Sequence, residues 1–119
     1  MSPGVQQPAF LVLSALAEGP LHGYGIVQAV AAASDGEVSL RIGTLYGALD
    51  RLATRGLVVV DREEVVDSRL RRTYRLTDEG ERVLRVEAET LRSRAERALA
   101  ALGRRTSGGA EVVGTEVSA

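Results

Sequence analysis

The sequence predicts a mainly α-helical fold with a small β-hairpin and a long C-terminal helix. Three observations lead to this prediction. Ile42, Leu45, Leu49 and Leu52 recur at spacings of three and four residues, which places them on one stripe of a helix. Two short segments of strand character follow that helix, on either side of an arginine-rich stretch. Beyond them, apolar residues recur with heptad spacing over nearly three heptads.

The segment 41–56 contains the first of these helices, and its two sides differ in chemistry. The side opposite the apolar stripe carries Gly43, Gly47, Asp50, Arg51 and Thr54, with Thr44 and Tyr46 on the flanks. Gly56 follows where a helix end needs a residue with positive φ. A small, hydroxylated and arginine-bearing face opposite an anchored apolar face suits a helix that lies against a polar partner.

Other elements are predicted around this helix. Residues 8–18 are apolar on nearly every side, which favours a helix buried on more than one face. A second helix is predicted from residue 22 or 23 to 33, with Tyr24 on its inner face, and a short strand at 38–40 precedes the helix at 42–55. After that helix come a strand at 57–60, a wing at 62–72 and a strand at 73–76. Asp67-Ser68 is predicted to form the turn of the wing. This is the winged helix-turn-helix arrangement, whose third helix enters the major groove. We therefore predict a DNA-binding domain at residues 8–76.

The C-terminal part is predicted to be a dimerisation helix at residues 77–102. Thr77 is a suitable N-cap, and Gly103 is predicted to end the helix. Its seam residues are predicted to form a dimer interface with Phe10 and Leu13 of the first helix; they are Leu84, Ala88, Leu91, Ala95, Ala98 and Leu102. Residues 103–119 lack a hydrophobic period and are predicted to be a disordered tail.

Composition excludes several classes of chemistry. The chain has no cysteine and one histidine, so Cys-ligated metals, thiol catalysis and a multi-histidine site within one chain are excluded. His22 lies at a helix start, where a capping or packing role is expected. No converging carboxylates and no glycine-rich phosphate loop after a strand occur. We therefore expect neither a metal nor a cofactor, and no enzymatic activity.

The apolar segment at residues 8–18 resembles the core of a signal peptide in composition. No lysine or arginine precedes it, and it is too short to span a membrane. We therefore expect a cytoplasmic protein without membrane contact.

The charge of the chain is unevenly distributed. The net charge is −1 and the pI is about 5.9, which is unlike a strongly basic nucleic-acid-binding protein. Between Arg41 and Arg75, however, eight arginines stand against five acidic residues, a local excess of three positive charges. The region predicted to contain the third helix and the wing is therefore basic.

Three blocks of sequence resemble the PadR family of bacterial transcriptional regulators. Gly19-Pro20-Leu21-His22-Gly23-Tyr24 is similar to the family's start. Gly43-Thr44-Leu45-Tyr46, with Ala48-Leu49, Arg51-Leu52 and Gly56-Leu57, resembles its recognition-helix signature. Arg71-Arg72, Tyr74, Leu76-Thr77 and Gly80 resemble its wing-to-helix signature. The resemblance spans residues 9–84 and implies a dimeric winged helix-turn-helix repressor with one C-terminal dimerisation helix. The operator is then expected to be an inverted repeat.

The candidate DNA-binding residues are Thr44, Tyr46, Arg51, Arg69, Arg71 and Arg72. The wing arginines either clamp phosphates or pair with the acids of the same hairpin, Glu63, Glu64 and Asp67. Tyr46 either contacts DNA or is a half-buried packing residue. Arg51 either reaches a base edge or a phosphate, or pairs with an acid within the protein.

The resemblance also implies a small hydrophobic or phenolic effector. The predicted C-terminal helix has no aromatic residue that would bind a flat compound, so the residues themselves give this expectation no support. A different interpretation is a winged-helix module that binds proteins instead of DNA. Asp50 on the outer face of the third helix and the acids of the hairpin favour it.

Overall fold

The computed structural model describes residues 7–116, with side chains described up to residue 106. Its elements are α1 (Gln7–Leu16), β1 (Leu21–His22), α2 (Gly23–Ala33), α3 (Ile42–Thr54), β2 (Val58–Val66), β3 (Arg69–Leu76) and α4 (Asp78–Glu116). The chain divides into two compact units, residues 1–87 and 88–119, and the division falls within α4. The order of helices and strands confirms the predicted winged helix-turn-helix arrangement.

The core of the first unit is aliphatic and forms where the three short helices meet the sheet. The helix α3 contributes Leu45, Leu49 and Leu52, each at most 2% exposed, as the spacing of its apolar stripe predicts. The other fully buried large side chains come from α1, α2, the α3–β2 connection and the start of β2; they are Val12, Leu13, Ile26, Val30, Leu57 and Val58. Burial of this stripe fixes α3 so that its opposite face points to solvent.

The sheet is antiparallel with the strand order β1-β3-β2. Strands β2 and β3 form one long hairpin, and Asp67 and Ser68 turn the chain with φ values of 51° and 64°. Positive φ at both central residues is what a tight type I′ hairpin turn requires. The two strands are therefore longer than predicted, and they pair through most of the segment 62–72 that was predicted as the wing between them.

A β-bulge lies at Asp61, between the pairs Val60–Tyr74 and Arg62–Thr73. A bulge inserts one extra residue into a strand, so the alternation of side chains changes phase there. The residues beyond it that share the face of Tyr74 are therefore Glu63 and Val65.

The third strand lies elsewhere than predicted. Residues 38–40 form no strand; they follow an irregular path in which Leu40 is buried and the Val38 backbone N–H donates to Ser34 Oγ. The edge of β3 is occupied instead by β1, with Leu21 opposite Tyr74. A local side-chain acceptor thus satisfies the backbone that a strand partner would otherwise satisfy.

The start of α4 is tied to the base of the wing through Thr77. Thr77 Oγ1 accepts a hydrogen bond from the Gly80 N–H at 2.9 Å, which confirms the predicted N-cap. The same hydroxyl donates to the Gly56 carbonyl at 2.6 Å, and the Thr77 N–H donates to the Leu57 carbonyl at 3.1 Å. One residue therefore joins the end of α3, the start of β2 and the first turn of α4.

We expect Thr77→Val to destabilise the protein by about 1 kcal/mol, because valine keeps the shape but loses the capping oxygen. Thr77→Ser, which retains the hydroxyl, should stay within a few tenths of a kcal/mol of the parent. Urea unfolding followed by circular dichroism measures both. Equal stabilities for the two variants would contradict the capping role.

Two predictions about the C-terminal region and the dimer interface are wrong. The helix does not end at Leu102; it continues through Gly103 to Glu116, so residues 103–116 are helical where a disordered tail was predicted, and residues 117–119 lie outside the described part. Good helix formers flank Gly103, and a glycine inside a helix costs only about 1 kcal/mol, so Gly103 does not by itself end α4. In addition, Leu13 is completely buried in the core of the chain itself, so it is not at the surface that a second copy could reach.

Candidate nucleic-acid interface

The outer face of α3 is exposed and carries the residues predicted for it. Thr44, Asp50 and Arg51 are exposed, while their neighbours Leu45 and Leu49 are buried. The Arg51 guanidinium lies along the helix close to Gly47, where a Cβ would sit 3.5 Å from Nη1. Among the side chains of residues 7–106, Arg51 has no ion-pair partner. A hydroxyl and a free guanidinium are therefore presented on the same face of α3, two helical turns apart.

Tyr46 combines the two roles that the sequence left open. Its ring is 42% exposed, and its hydroxyl lies against the first turn of α2. A Cβ at Gly23 would lie only 2.8 Å from that hydroxyl oxygen, so a residue larger than glycine would clash with Tyr46 in this position. The ring packs on α2 with one side and faces solvent with the other.

A groove of about 630 Å³ runs between the start of α2, the start of α3 and the wing. We call it the wing groove; its lining includes His22, Tyr24, Ile42, Tyr46, Leu70 and the arginines 69, 71 and 72. The lining thus combines aromatic and aliphatic side chains with three arginines and one carboxylate, that of Asp67 at the wing turn. Such a surface matches a sugar–phosphate chain, which is apolar at the sugar and anionic at the phosphate.

The arginines of the wing fall into two groups. Arg72 Nε lies 2.6 Å from Glu63 Oε2, and Arg75 Nε lies 3.2 Å from Asp61 Oδ1. Arg69 and Arg71 have no carboxylate within ion-pair distance among the described side chains. Of the two interpretations of the wing arginines, pairing within the hairpin applies to Arg72, whereas Arg69 and Arg71 remain available to a phosphate.

The phenol of Tyr74 lies on the same face of β3 as Arg72. Hydrogen bonding to Glu63, and then to Tyr74, raises the pKa of Arg72 above its usual value, so the guanidinium stays charged. Burial raises the pKa of Tyr74 above its usual value, so the phenol stays neutral at physiological pH. The result is a charged guanidinium that Glu63 holds at the edge of the wing groove.

The residues predicted for the dimer interface differ in exposure. Phe10 and Leu84 are half-buried within the first unit. In the second unit Ala88, Leu91, Ala95, Ala98 and Leu102 are all exposed, with Leu91 at 39% and Leu102 at 54%. An apolar stripe on α4 is thus open to solvent in the single chain.

Sequence reasoning missed two residues of the site. Tyr24 was assigned to the inner face of α2, but it is 67% exposed and lines the wing groove. Helical spacing carried the signal, because Tyr24 lies two positions from Ile26, and residues two apart do not share a helix face. Glu63 was treated only as one of several acids, since its pairing with Arg72 depends on the bulge at Asp61.

Comparison with known proteins assigns the family. The model of the transcriptional regulator PadR-like family matches residues 12–86. An uncharacterized 37.1 kDa protein in transposon TN4556 of Streptomyces fradiae is 41% identical over 81 residues, 68% of this chain. The chain spans only about a fifth, 22%, of the length of that curated relative.

Solved structures agree with this assignment. A PadR family transcriptional regulator from Eggerthella lenta is 33% identical, with a TM-score of 0.65 over 80% of each chain. Bacillus subtilis PadR in complex with operator DNA shares the fold, with 23% identity and a TM-score of 0.60 over 67% of this chain and 45% of that chain. No helix in residues 7–116 is long and apolar enough to cross a membrane. On the family match over most of the winged domain, this chain belongs to the PadR-like family of transcriptional regulators.

Proposed function

We propose that the chain is a sequence-specific DNA-binding repressor of transcription that works in the cytoplasm. The observation that carries this proposal is the pairing of an exposed α3 face with unpaired wing arginines across one groove. Thr44 and Arg51 face solvent on α3, and Arg69 and Arg71 are without carboxylate partners among the described side chains. The operator complex of the Bacillus subtilis protein supports DNA as the partner of this face.

In the proposed complex, α3 enters the major groove and reads base edges with Arg51 and Thr44. Arg69, Arg71 and Arg72 bind phosphates of the adjacent backbone, and Tyr46 packs against a sugar between them. Phosphate contacts set the register of the protein on the duplex, and base contacts give the selectivity. The acidic pI is compatible with this, because the positive charges concentrate on the DNA-facing part.

A homodimer follows from the open stripe on α4. Half of its residues are alanine, so two such helices can approach closely and bury the exposed Leu91 and Leu102. A two-fold dimer places two copies of α3 about 34 Å apart, one helical turn of DNA. The proposed operator is therefore an inverted repeat.

Leu91→Glu should convert the dimer to a monomer, because it places a charge in the centre of the stripe. Selective DNA binding should then weaken at least tenfold, since one half-site alone holds the protein. Val86→Glu is the matched control: Val86 is 56% exposed on the opposite side of the same helix. Analytical ultracentrifugation gives the oligomeric state of both variants. A monomeric parent, or equal behaviour of the two variants, would contradict the proposed interface.

Release by a small hydrophobic or phenolic effector is also part of the proposal. The exposed aromatic rings of the described residues, Tyr24 and Tyr46, both line the wing groove, and the described side chains of α4 include none. A panel of phenolic acids added to a preformed DNA complex tests for release. No change in affinity across the panel would remove the effector from the proposal.

A second candidate function is a protein-interaction module of the same shape. It rests on exposed Asp50 in the middle of the α3 face and on Glu63 and Glu64 of the wing, which repel phosphate. Such a module would bind DNA weakly and without preference for sequence.

Selection from a random-sequence DNA pool separates the two candidates, because the protein itself then picks out its operator. The selected site and a scrambled version of it are then compared by fluorescence anisotropy from 50 to 300 mM salt. The repressor should select an inverted repeat and bind it at least a hundredfold more tightly than the scrambled DNA. A pool that shows no enrichment after repeated rounds would contradict the proposal and favour the interaction module.

A further inference from the structure

The ion pair between Glu63 and Arg72 holds one DNA-facing arginine in the free protein. The two residues lie directly opposite each other in the β2–β3 ladder, and Arg72 Nε donates to Glu63 Oε2 at 2.6 Å. Both side chains are about half exposed, at 52% and 46%. Solvent access leaves the pair free to open when another anion approaches.

Arg72 occupies a different position from the other wing arginines. It shares the face of Tyr74 and Leu70, and with Tyr46 and Leu70 it also lines a second, smaller pocket. Its guanidinium thus lies beside Tyr46 of α3. A phosphate that Arg72 binds is therefore next to α3 when that helix is seated in the major groove.

The neighbouring pair of residues provides the contrast. Glu64 lies opposite Arg71 in the same ladder, yet these two side chains form no ion pair. The hairpin thus holds two adjacent acid–arginine pairs of identical chemistry on opposite faces, one closed and one open. If negative charge near DNA alone determined the effect on DNA affinity, removing the charge of Glu63 and removing that of Glu64 would change the affinity equally.

The closed pair changes what Arg72 contributes to binding. A free arginine that meets a phosphate releases a counterion from DNA, and this release drives non-specific association. Arg72 must first leave Glu63, so the free energy of that ion pair is subtracted from what the phosphate contact contributes. The pair is exposed and therefore weak, so a phosphate placed for bidentate contact displaces the carboxylate, whereas a poorly placed phosphate does not.

We propose that Glu63 is a specificity-determining residue: it competes with DNA phosphate for Arg72 and withholds this contact from DNA that does not seat α3 correctly. The inference rests on the proposed DNA-binding function. In this proposal Glu63 increases the selectivity for the operator, whereas its negative charge alone would only weaken binding to all DNA.

The test uses Glu63→Gln, Glu64→Gln, Arg72→Gln and the double variant with both Glu63 and Arg72 replaced. Each is titrated with the selected site and its scrambled control. Glu63→Gln should bind scrambled DNA about fivefold more tightly at 0.15 M salt, with a log–log salt slope steeper by about 0.9, the value of one phosphate contact. The affinity for the selected site should rise less, so the selectivity ratio falls. Glu64→Gln should change the ratio by less than twofold.

The double variant isolates the competition from general charge. With Arg72 already replaced, the change at Glu63 should affect binding no more than Glu64→Gln does. Thermal unfolding serves as the control for folding, since an exposed ion pair contributes little to stability.

Four results would overturn the inference. Weaker binding of the selected site by Glu63→Gln would show that Glu63 orients Arg72 instead of competing for it. Equal effects at Glu63 and Glu64, or an effect of Glu63→Gln that persists without Arg72, would show general electrostatics alone. A parent protein that binds both DNAs equally would overturn the proposed function itself, and with it any selectivity for Glu63 to set.

Discussion

Gly80→Ala should unfold the winged domain or destabilise it by about 3 kcal/mol, a large share of the stability of a small domain. A Cβ at this position would lie 2.0 Å from the Leu57 carbonyl oxygen and 2.9 Å from its carbon. That carbonyl is fixed, because Leu57 is 2% exposed and its oxygen accepts the Thr77 N–H at 3.1 Å. The first turn of α4 would have to lift away from the α3–β2 connection.

Gly103→Ala is the matched control for this prediction. It is the same substitution in the same helix, at a glycine whose Cβ would meet nothing within 4 Å. There alanine should favour the helix by up to about 1 kcal/mol. Urea unfolding followed by circular dichroism measures both variants. If Gly80→Ala were as stable as Gly103→Ala, the close packing of α4 on Leu57 would be wrong.

The double variant Arg69→Gln/Arg71→Gln should weaken DNA binding about thirtyfold at 0.15 M salt. Two phosphate contacts contribute a log–log salt slope of about 1.8, and their loss should make the measured slope shallower by that amount. Both arginines are without ion-pair partners among residues 7–106, so the full contact is lost when they are replaced. The salt series by fluorescence anisotropy gives the affinity and the slope in one experiment.

A control with the same change in net charge is Arg94→Gln/Arg97→Gln. These exposed residues of α4 lie outside the apolar stripe that contains Leu91. We expect the slope of this control to stay within about 0.3 of the parent. Equal losses in the two double variants would mean that only the net charge of the chain matters, and that the wing makes no defined phosphate contact.

The sequence predicted those parts of the fold that a repeating pattern specifies. The stripe of Leu45, Leu49 and Leu52 requires α3 to have one buried face, and Thr77 caps α4 as its residue type suggests. The short strand at Leu21–His22 was not predicted, because two residues are too few to show a hydrophobic alternation. They are a strand only because they pair with β3. The end of α4 was also predicted wrongly, because a glycine such as Gly103 is tolerated inside a helix and is a weak stop signal.

The sequence predicted most of the residues that line the candidate site, but not which of its arginines form ion pairs within the protein. Thr44 and Arg51 lie on the outer face of α3, which follows from helical geometry alone. Which wing arginines are free depends on the bulge at Asp61, and one extra residue reverses the face on which Glu63 and Glu64 lie. Leu13 was placed on a dimer interface because its helix is apolar all round, whereas the single chain already buries it.

Site-specific crosslinking tests most directly whether the α3 and wing face is the face that binds DNA. The chain has no cysteine, so a single introduced cysteine can carry a photo-crosslinker at one chosen position. The positions are Thr44→Cys on α3, Leu70→Cys on the wing and, as a control, Ala32→Cys at the exposed far end of α2. We predict crosslinks to the selected DNA from positions 44 and 70 and none from position 32. Crosslinks from position 32 alone, or tight binding without crosslinks at 44 and 70, would contradict the account.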